Sequence, residues 1–163
     1  MEFYPAKVIR RKKRFEPLNS ILIGMKKRED EIVFMIYVID THALVWYLEG
    51  SKRLSASARA AMTSSEDDII IPAIVLAEIV FLFGRKRISV DLSTVMEHLS
   101  QTENCAIYPL DEVVIERLPI VLNIHDGLIV ATALVFRDLL KKEATIVTKD
   151  REISQSGIIE TIW

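Results

Sequence analysis

The sequence predicts an α/β domain with a mainly parallel central sheet. Half of the 163 residues are hydrophobic, which is enough for the sizeable core of one ordinary domain and argues against disorder. Short β-branched runs alternate with longer stretches of helical character. This alternation is typical of parallel strands that are connected by helices.

Each predicted strand is a short apolar run. Residues 36–39 read Ile-Tyr-Val-Ile and residues 145–148 read Thr-Ile-Val-Thr, as expected for strands that are buried on both faces. Residues 68–71 end at Pro72, a residue that is favoured at the start of a helix. The other predicted strands are residues 106–108 and 158–162.

The predicted helices lie between these strands. Residues 41–49 form the first, which Gly50 closes. Residues 73–83 are apolar nearly all round, so we expect this helix to be buried. Residues 126–141 form a long helix that begins at Asp126. Further helices are predicted at residues 55–64, 91–100 and 111–118, with a short turn of helix at Asp150.

Cysteine content and hydropathy exclude several classes of protein. Cys105 is the single cysteine, so it cannot form an internal disulfide, and there is no CxxC or His/Cys cluster for zinc. A reducing, cytoplasmic setting fits this composition. The longest apolar run, residues 69–83, is shorter than the roughly 20 residues of a membrane helix. Residues 8–15 are dominated by charge, unlike the apolar centre of a signal peptide.

Charge is distributed unevenly along the chain, although the net charge is only −2. Residues 1–34 carry nine Lys/Arg against five Asp/Glu, whereas residues 35–163 carry twelve against eighteen. An acidic body argues against a simple basic-patch nucleic-acid binder. Divalent metal ions bound to the acids would reverse the local charge and weaken that argument.

Four carboxylates lie in segments that are otherwise apolar. An isolated buried carboxylate costs several kcal/mol unless it is paired, protonated or bound to a cation, and no comparable set of Lys or Arg shares these segments. Two of the acids follow predicted strands, where parallel sheets gather functional groups. Convergence of all four would create a site for Mg²⁺ or Mn²⁺, which prefer oxygen ligands. The four are Asp40, Glu78, Asp126 and Asp150.

Helix capping is a competing explanation for three of these acids. Asp40, Asp126 and Asp150 each stand at a predicted helix start, where an Asp cap contributes about 1 kcal/mol. Glu78 has no such explanation, because it lies inside a predicted helix whose basic residues come only after its end. Metal coordination or a shared acidic pocket is therefore the better hypothesis for the set.

Several other polar and aromatic residues adjoin the acids. Thr41 and Thr148 could position a water or a phosphate, or could equally be cap and strand hydroxyls. His42 and His125 do not form a metal-ligand pair at useful spacing, so we expect supporting or structural roles for both. Trp46 is expected to pack in the core.

At these residues the sequence resembles the PIN-domain family, and within it the VapC-like toxin ribonucleases. Each matching stretch is weak alone, but together they fall in the family's order with the four acids in register. The resemblance covers about residues 35–163. The matching stretches are residues 38–46, 54–59, 72–79, 125–133 and 147–151.

The resemblance implies a three-layer α/β/α fold and a Mg²⁺- or Mn²⁺-dependent endoribonuclease that acts as the toxin of a type II toxin–antitoxin system. Its catalytic and metal-binding residues would be Asp40, Glu78, Asp126 and Asp150. The resemblance also implies an RNA substrate, a homodimer and a cognate antitoxin. Gly127 departs from the family pattern, in which an Arg often follows the third acid, and this bears on substrate contacts.

Other functions compete with this hypothesis. A PIN-like scaffold could bind RNA or protein without cutting, although the presence of all four acids disfavours it. A phosphate-accepting receiver-like domain would need an acidic pair before its acceptor, whereas the first strand carries only Asp40, and Lys149 precedes a further acid. A phosphatase would be excluded if RNA were cleaved but phosphomonoesters were not.

Residues 1–34 lie outside the resemblance and are expected to be an extension of the PIN-like domain at 35–163. One hypothesis takes Met35 as the natural start, with the preceding residues as upstream translation, a fusion or a flexible arm. The other is that this basic arm folds over the acidic site or binds RNA.

Overall fold

The structure is a computed structural model, and it describes residues 34–163. The hypotheses about the basic extension fall on residues outside this described part of the chain.

Five strands form a single sheet in which every neighbouring pair is parallel. The spatial order is β3-β2-β1-β4-β5, so the chain runs from the central β1 outward through β2 and β3. It then returns to the other side of β1 for β4 and β5. This confirms the predicted parallel sheet. The strands are β1 (Ile36–Ile39), β2 (Asp68–Pro72), β3 (Cys105–Tyr108), β4 (Ala144–Val147) and β5 (Glu160–Ile162).

Helices connect the strands, and the described residues form a three-layer α/β/α fold, as the resemblance implied. The chain leaves β1 directly into a helix that ends before Gly50, whose positive φ of 62° suits glycine. The helices are α1 (Thr41–Leu48), α2 (Ala56–Met62), α3 (Ala73–Gly84), α4 (Leu92–Gln101), α5 (Glu112–Ile115), α6 (Ile124–Leu134) and α7 (Arg151–Ser156).

The helix that is buried all round is α6, whereas the sequence predicted this for α3. Every residue from 127 to 134 in α6 is buried, and the helix packs on β1, β2 and β4. In α3 only Val75 and Ile79 are buried, while Val80, Phe81 and Phe83 are exposed. Hydropathy failed here because burial depends on position. The helix α6 packs on three central strands, whereas the main sheet contact of α3 is with β2.

The start and the end of α6 also differ from the prediction. The helix begins at Ile124, two residues before the predicted start, because the side chain of Asn123 accepts hydrogen bonds from the backbone N–H groups of His125 and Asp126. After Leu134 it widens into a π-helical segment, Val135–Leu139. Asp126 therefore lies inside the first turn and is not the cap.

Within residues 34–163, no helix has the length and apolar character that crossing a membrane would require.

Candidate functional site

The first acid lies at the point where the chain direction switches across the sheet. β1 and β4 are neighbours, but their following segments lead to opposite sides, and such a switch point opens a crevice at the carboxyl ends of the strands. Asp40 follows β1 and Thr148 follows β4. The Thr148 hydroxyl donates to Asp40 Oδ2 at 2.8 Å, and Asp40 N donates to the carbonyl of Val147 at 3.2 Å.

Asp40 is the one fully buried acid of the predicted four, with 5% of its surface exposed. It occupies the N-cap position of α1, yet its side chain makes no N-cap hydrogen bond, and a contact with the backbone N–H of Thr41 is only one of the smaller influences on its pKa. Burial raises its pKa to about 6, against the lowering effects of the Thr148 hydrogen bond and of His42. Helix capping therefore does not explain Asp40.

Asp150 occupies the equivalent place after β4, and here the side chain does cap its helix. Its Oδ1 accepts from Glu152 N at 2.6 Å and from Ile153 N at 3.2 Å, at the start of α7. Asp150 N donates to the Thr148 hydroxyl at 2.9 Å. The Thr148 hydroxyl thus connects the two strand-end acids through one oxygen atom.

Glu78 reaches the same region from the second turn of α3. Thr41, the residue after Asp40, donates its hydroxyl to Glu78 Oε2 at 2.6 Å. His125 Nδ1 lies 3.9 Å from Glu78 Oε1, too far for a hydrogen bond. The Glu78 side chain keeps 24% exposure, so it is half-buried rather than enclosed in the core as its apolar neighbours suggested.

Asp126 faces the other acids from the first turn of α6. Burial raises its pKa, a hydrogen bond from Asn123 Nδ2 at 2.5 Å lowers it, and the charges of Asp150, Glu152 and Glu78 raise it again. A repulsive effect of Asp126 also contributes to the raised pKa of Asp40. The four predicted acids are therefore electrostatic neighbours, although they come from four separate segments.

No Lys or Arg forms an ion pair with these acids in the part of the chain that the structure describes. The negative charge is left uncompensated, and the donors are all carboxylate oxygens, so the chemistry fits a hard divalent cation. Among the described residues, however, no three Asp, Glu, His or Cys side chains are grouped closely enough to hold one ion together.

Two further residues belong to the acidic region and were not predicted. Asn123 caps α6 and also bonds to Asp126, and its position three residues before an acid at a helix start is the signal that could have revealed it. Glu152 adds charge beside Asp126 but resembles an ordinary first-turn acid in sequence.

The packing around α6 explains why glycine follows the third acid. A Cβ atom at Gly127 would lie 2.8 Å from Leu118 Cδ1 and 3.5 Å from the carbonyl oxygen of Pro119. A side chain there would require the terminal methyl group of Leu118 to shift, so glycine is the residue that fits beside Leu118 in its present rotamer.

The described residues thus define an α/β protein with an acidic site at the switch point of a parallel sheet. The family model of the PIN domain matches residues 37–158, and the chain belongs to the PIN-domain family.

The fold is also similar to that of a solved chain from VapBC2 of Rickettsia felis, which was crystallised bound to a DNA fragment from its promoter. The TM-score is 0.54 at 16% sequence identity, and the alignment covers 78% of this chain and 98% of the other. At this identity the likeness shows a shared fold. A search of curated proteins finds no match to the chain.

Proposed function

We propose that this protein is a Mg²⁺- or Mn²⁺-dependent endoribonuclease that hydrolyses RNA phosphodiester bonds. The observation that carries the proposal is the buried carboxylate of Asp40, which has three more carboxylates as electrostatic neighbours and no Lys or Arg paired with it in the described residues. A metal-free protein gains nothing from such an arrangement, because each ionised acid raises the cost of ionising the others. A bound divalent cation removes that cost.

The residues divide into metal holders and positioning residues. Asp40 and Glu78 hold the main metal ion, and Asp126 and Asp150 complete the pocket or hold a second ion. A divalent ion in such a pocket supplies an activated water and stabilises the leaving oxygen of a phosphodiester. Metal affinity falls as pH drops toward 6, because Asp40 must lose its proton to become a ligand.

Thr41 and Thr148 were predicted to position a water or a phosphate, and their contacts support a different role. Both hydroxyl protons point to carboxylates, at 2.6 Å from Glu78 and 2.8 Å from Asp40. Such bonds fix the direction of the carboxylate and leave its other oxygen for a ligand. We infer that the two threonines orient the proposed metal holders.

The biological role that we propose is the toxin of a type II toxin–antitoxin pair, as a homodimer that a cognate antitoxin silences. The proposal is supported by membership of the PIN-domain family and by the shared fold with a chain of the VapBC2 complex. An antitoxin that inserts a basic residue would neutralise the same uncompensated carboxylates that bind metal.

RNA cleavage by the purified full chain tests the enzymatic proposal. We expect cleavage of a mixed tRNA, ribosomal RNA and message substrate with Mn²⁺ or Mg²⁺, and none with EDTA. Asp126→Asn should abolish cleavage while keeping the acceptor for the Asn123 hydrogen bond. The matched control is Asp138→Asn. Asp138 is an exposed acid in the helical segment that continues α6, and a rise of 1.5 Å per residue places it about 18 Å from Asp126.

The outcomes separate the alternatives. Cleavage that survives both EDTA and Asp126→Asn would contradict a metal-dependent site. RNA that binds without being cut would favour the non-catalytic scaffold. The toxin role predicts that induced expression in bacteria arrests growth for the wild type and for Asp138→Asn but not for Asp126→Asn. If the wild type cleaves RNA but does not affect growth, only the toxin role is contradicted.

A further inference from the structure

A cluster of three rings and two cations lies beside the acidic site, and we call it the ring cluster. Trp46 is at its centre, with the His42 ring at 5.5 Å and the Trp163 ring at 5.6 Å between centroids. Arg53 Cζ lies 5.9 Å and Lys149 Nζ lies 5.8 Å from the Trp46 ring centre. The sequence predicted core packing for Trp46, and its inner side does pack against the core.

Topology places the ring cluster at the same edge of the sheet as the acids. β1, β4 and β5 are neighbours, and the residues that follow their carboxyl ends include His42, Lys149 and Trp163 in turn. Lys149 stands between Thr148, which is bonded to Asp40, and Asp150. His42 is close enough to Asp40 to lower its pKa, although burial outweighs this effect. The cluster therefore adjoins the proposed reaction centre.

The cations of the ring cluster are not used in ion pairs. Arg53 and Lys149 are exposed, and neither forms a salt bridge with any residue of the described part. Both side chains instead place their charged groups over the ring of Trp46. In a domain whose net charge is negative, two available cations over an aromatic surface match a ligand that has both anionic groups and flat rings.

We propose that the ring cluster binds an unpaired nucleotide of single-stranded RNA next to the bond that is cut. The base stacks against the indole rings of Trp46 and Trp163, and Arg53 and Lys149 contact the flanking phosphates. Stacking on aromatic side chains is the usual way in which proteins hold splayed bases, and it tolerates different bases. The inference rests on the proposed function for its substrate, but it concerns binding, which can be measured without cleavage.

Tryptophan fluorescence reports on this cluster alone, because Trp46 and Trp163 are the only two tryptophans in the chain. We would titrate the full chain with a short unstructured RNA in Ca²⁺, a hard cation that offsets the acidic charge. The comparison ligands are an abasic RNA of the same length and a blunt-ended RNA duplex. We expect strong quenching with the unstructured RNA and little with the other two.

Two substitutions separate stacking from general charge. Trp163→Ala should weaken binding about 5- to 150-fold, the range for loss of one base–aromatic stack. Arg53→Gln should also weaken binding and reduce its salt dependence, whereas Lys52→Gln removes the same charge one residue away and should have a much smaller effect. If Trp163→Ala does not fold, the comparison with abasic RNA tests stacking, and the Arg53 and Lys52 pair tests the contact with phosphates.

Each outcome bears on one proposal. RNA cleavage with unchanged fluorescence, or equal effects of Arg53→Gln and Lys52→Gln, would overturn the ring cluster as a base-binding site and leave the nuclease proposal intact. Specific quenching without cleavage would support the base-binding site and contradict the nuclease. Fluorescence that changes with protein concentration but not with RNA would assign the rings to contact with a second copy of the chain and overturn the inference.

Discussion

Asp40 and Asp150 occupy the same place in two neighbouring strand–helix junctions, yet they do different things. Both follow a buried strand and precede a helix. Asp150 is partly exposed and caps α7 with two hydrogen bonds from backbone N–H groups. Asp40 is buried and makes no N-cap hydrogen bond to α1, and burial raises its pKa to about 6.

The same strand–helix pattern thus contains one acid that stabilises a helix and one that does not. The carboxylate of Asp150 stabilises the helix that it precedes, and this capping contributes to the free energy of unfolding. Burial places the carboxylate of Asp40 in an unfavourable environment, which the hydrogen bond from Thr148 offsets only in part, and no N-cap hydrogen bond adds to the stability of α1. An ionisable group that is destabilised by burial and adds no stability to the fold is a candidate for binding a ligand that stabilises its charge.

The largest expected effect concerns activity. Asp40→Asn should lower the initial rate of RNA cleavage by about 10²–10³-fold, or about 2.7–4 kcal/mol on the barrier, because it removes a charge from the reaction centre. Asp150→Asn should lower it only about 10-fold, since Asn keeps the helix cap. Rates at saturating Mn²⁺ measure both variants. Equal losses would show that the two junctions do not differ in function.

The next effect concerns stability, and it is large at neutral pH and nearly absent at low pH. The folded pKa of Asp40, about 6, lies above its ordinary value of 3.8, so its contribution stabilises the fold below about pH 4 and is lost as pH rises through 6. At pH 7 the ionised group costs about 3 kcal/mol, from a shift of about two pH units. In EDTA, Asp40→Asn should therefore raise the free energy of unfolding at pH 7 and change it little at pH 4.

Urea unfolding at the two pH values measures this difference. Adding Mn²⁺ at pH 7 should stabilise the wild type, because the ion binds the folded state, and should stabilise Asp40→Asn much less. If Asp40→Asn were less stable than the wild type in EDTA at pH 7, the conclusion that ionised Asp40 destabilises the fold would be wrong.

Thr148 connects the two junctions, and its removal should produce an intermediate effect. Thr148→Val keeps the shape but removes the donor to Asp40 and the acceptor for Asp150 N. Loss of such an orienting partner typically costs 10–100-fold in metal affinity or activity. Thr145→Val, on the buried strand before it, is the matched control and should leave Mn²⁺ affinity measured by calorimetry near the wild-type value.

The smallest effect should come from the capping acid. Asp150→Ala should lower the free energy of unfolding by about 1 kcal/mol at pH 7, because two backbone N–H groups at the start of α7 lose their acceptor. Asp150→Asn should be close to neutral in the same urea measurement. If Asp150→Ala were instead stabilising, as expected for Asp40→Asn, the two acids would share one role.

Local sequence patterns predicted the sheet and most of the helix positions well, but not how deeply each helix is buried. The runs at residues 36–39 and 145–148 match β1 and β4 within one residue, because continuous β-branched segments have few alternatives. The apolar run of α3 was assigned a buried position that belongs to α6, since hydropathy does not say which neighbours a helix meets. The start of α6 was misplaced because the Asn123 cap was overlooked in favour of Asp126.

For the proposed site, the sequence indicates a set of acids but not their geometry. The rule for strand ends led to Asp40 and Asp150, and the lack of a capping explanation singled out Glu78. The bonds from Thr41 and Thr148, and the meeting of Trp46 with Trp163, join residues that are far apart in sequence. Such contacts depend on strand order, which short patterns do not encode.

The hydrogen bond between Asp40 and Thr148 also sets the time at which the site can exist during translation. The two residues are 108 positions apart, so Asp40 leaves the ribosome long before its partner has been made. At synthesis rates of about 5–20 residues per second, this interval lasts about 5–20 s. During that time β1 lacks its neighbour β4, and the unfinished chain cannot assemble the acidic site beside the RNA from which it is being translated.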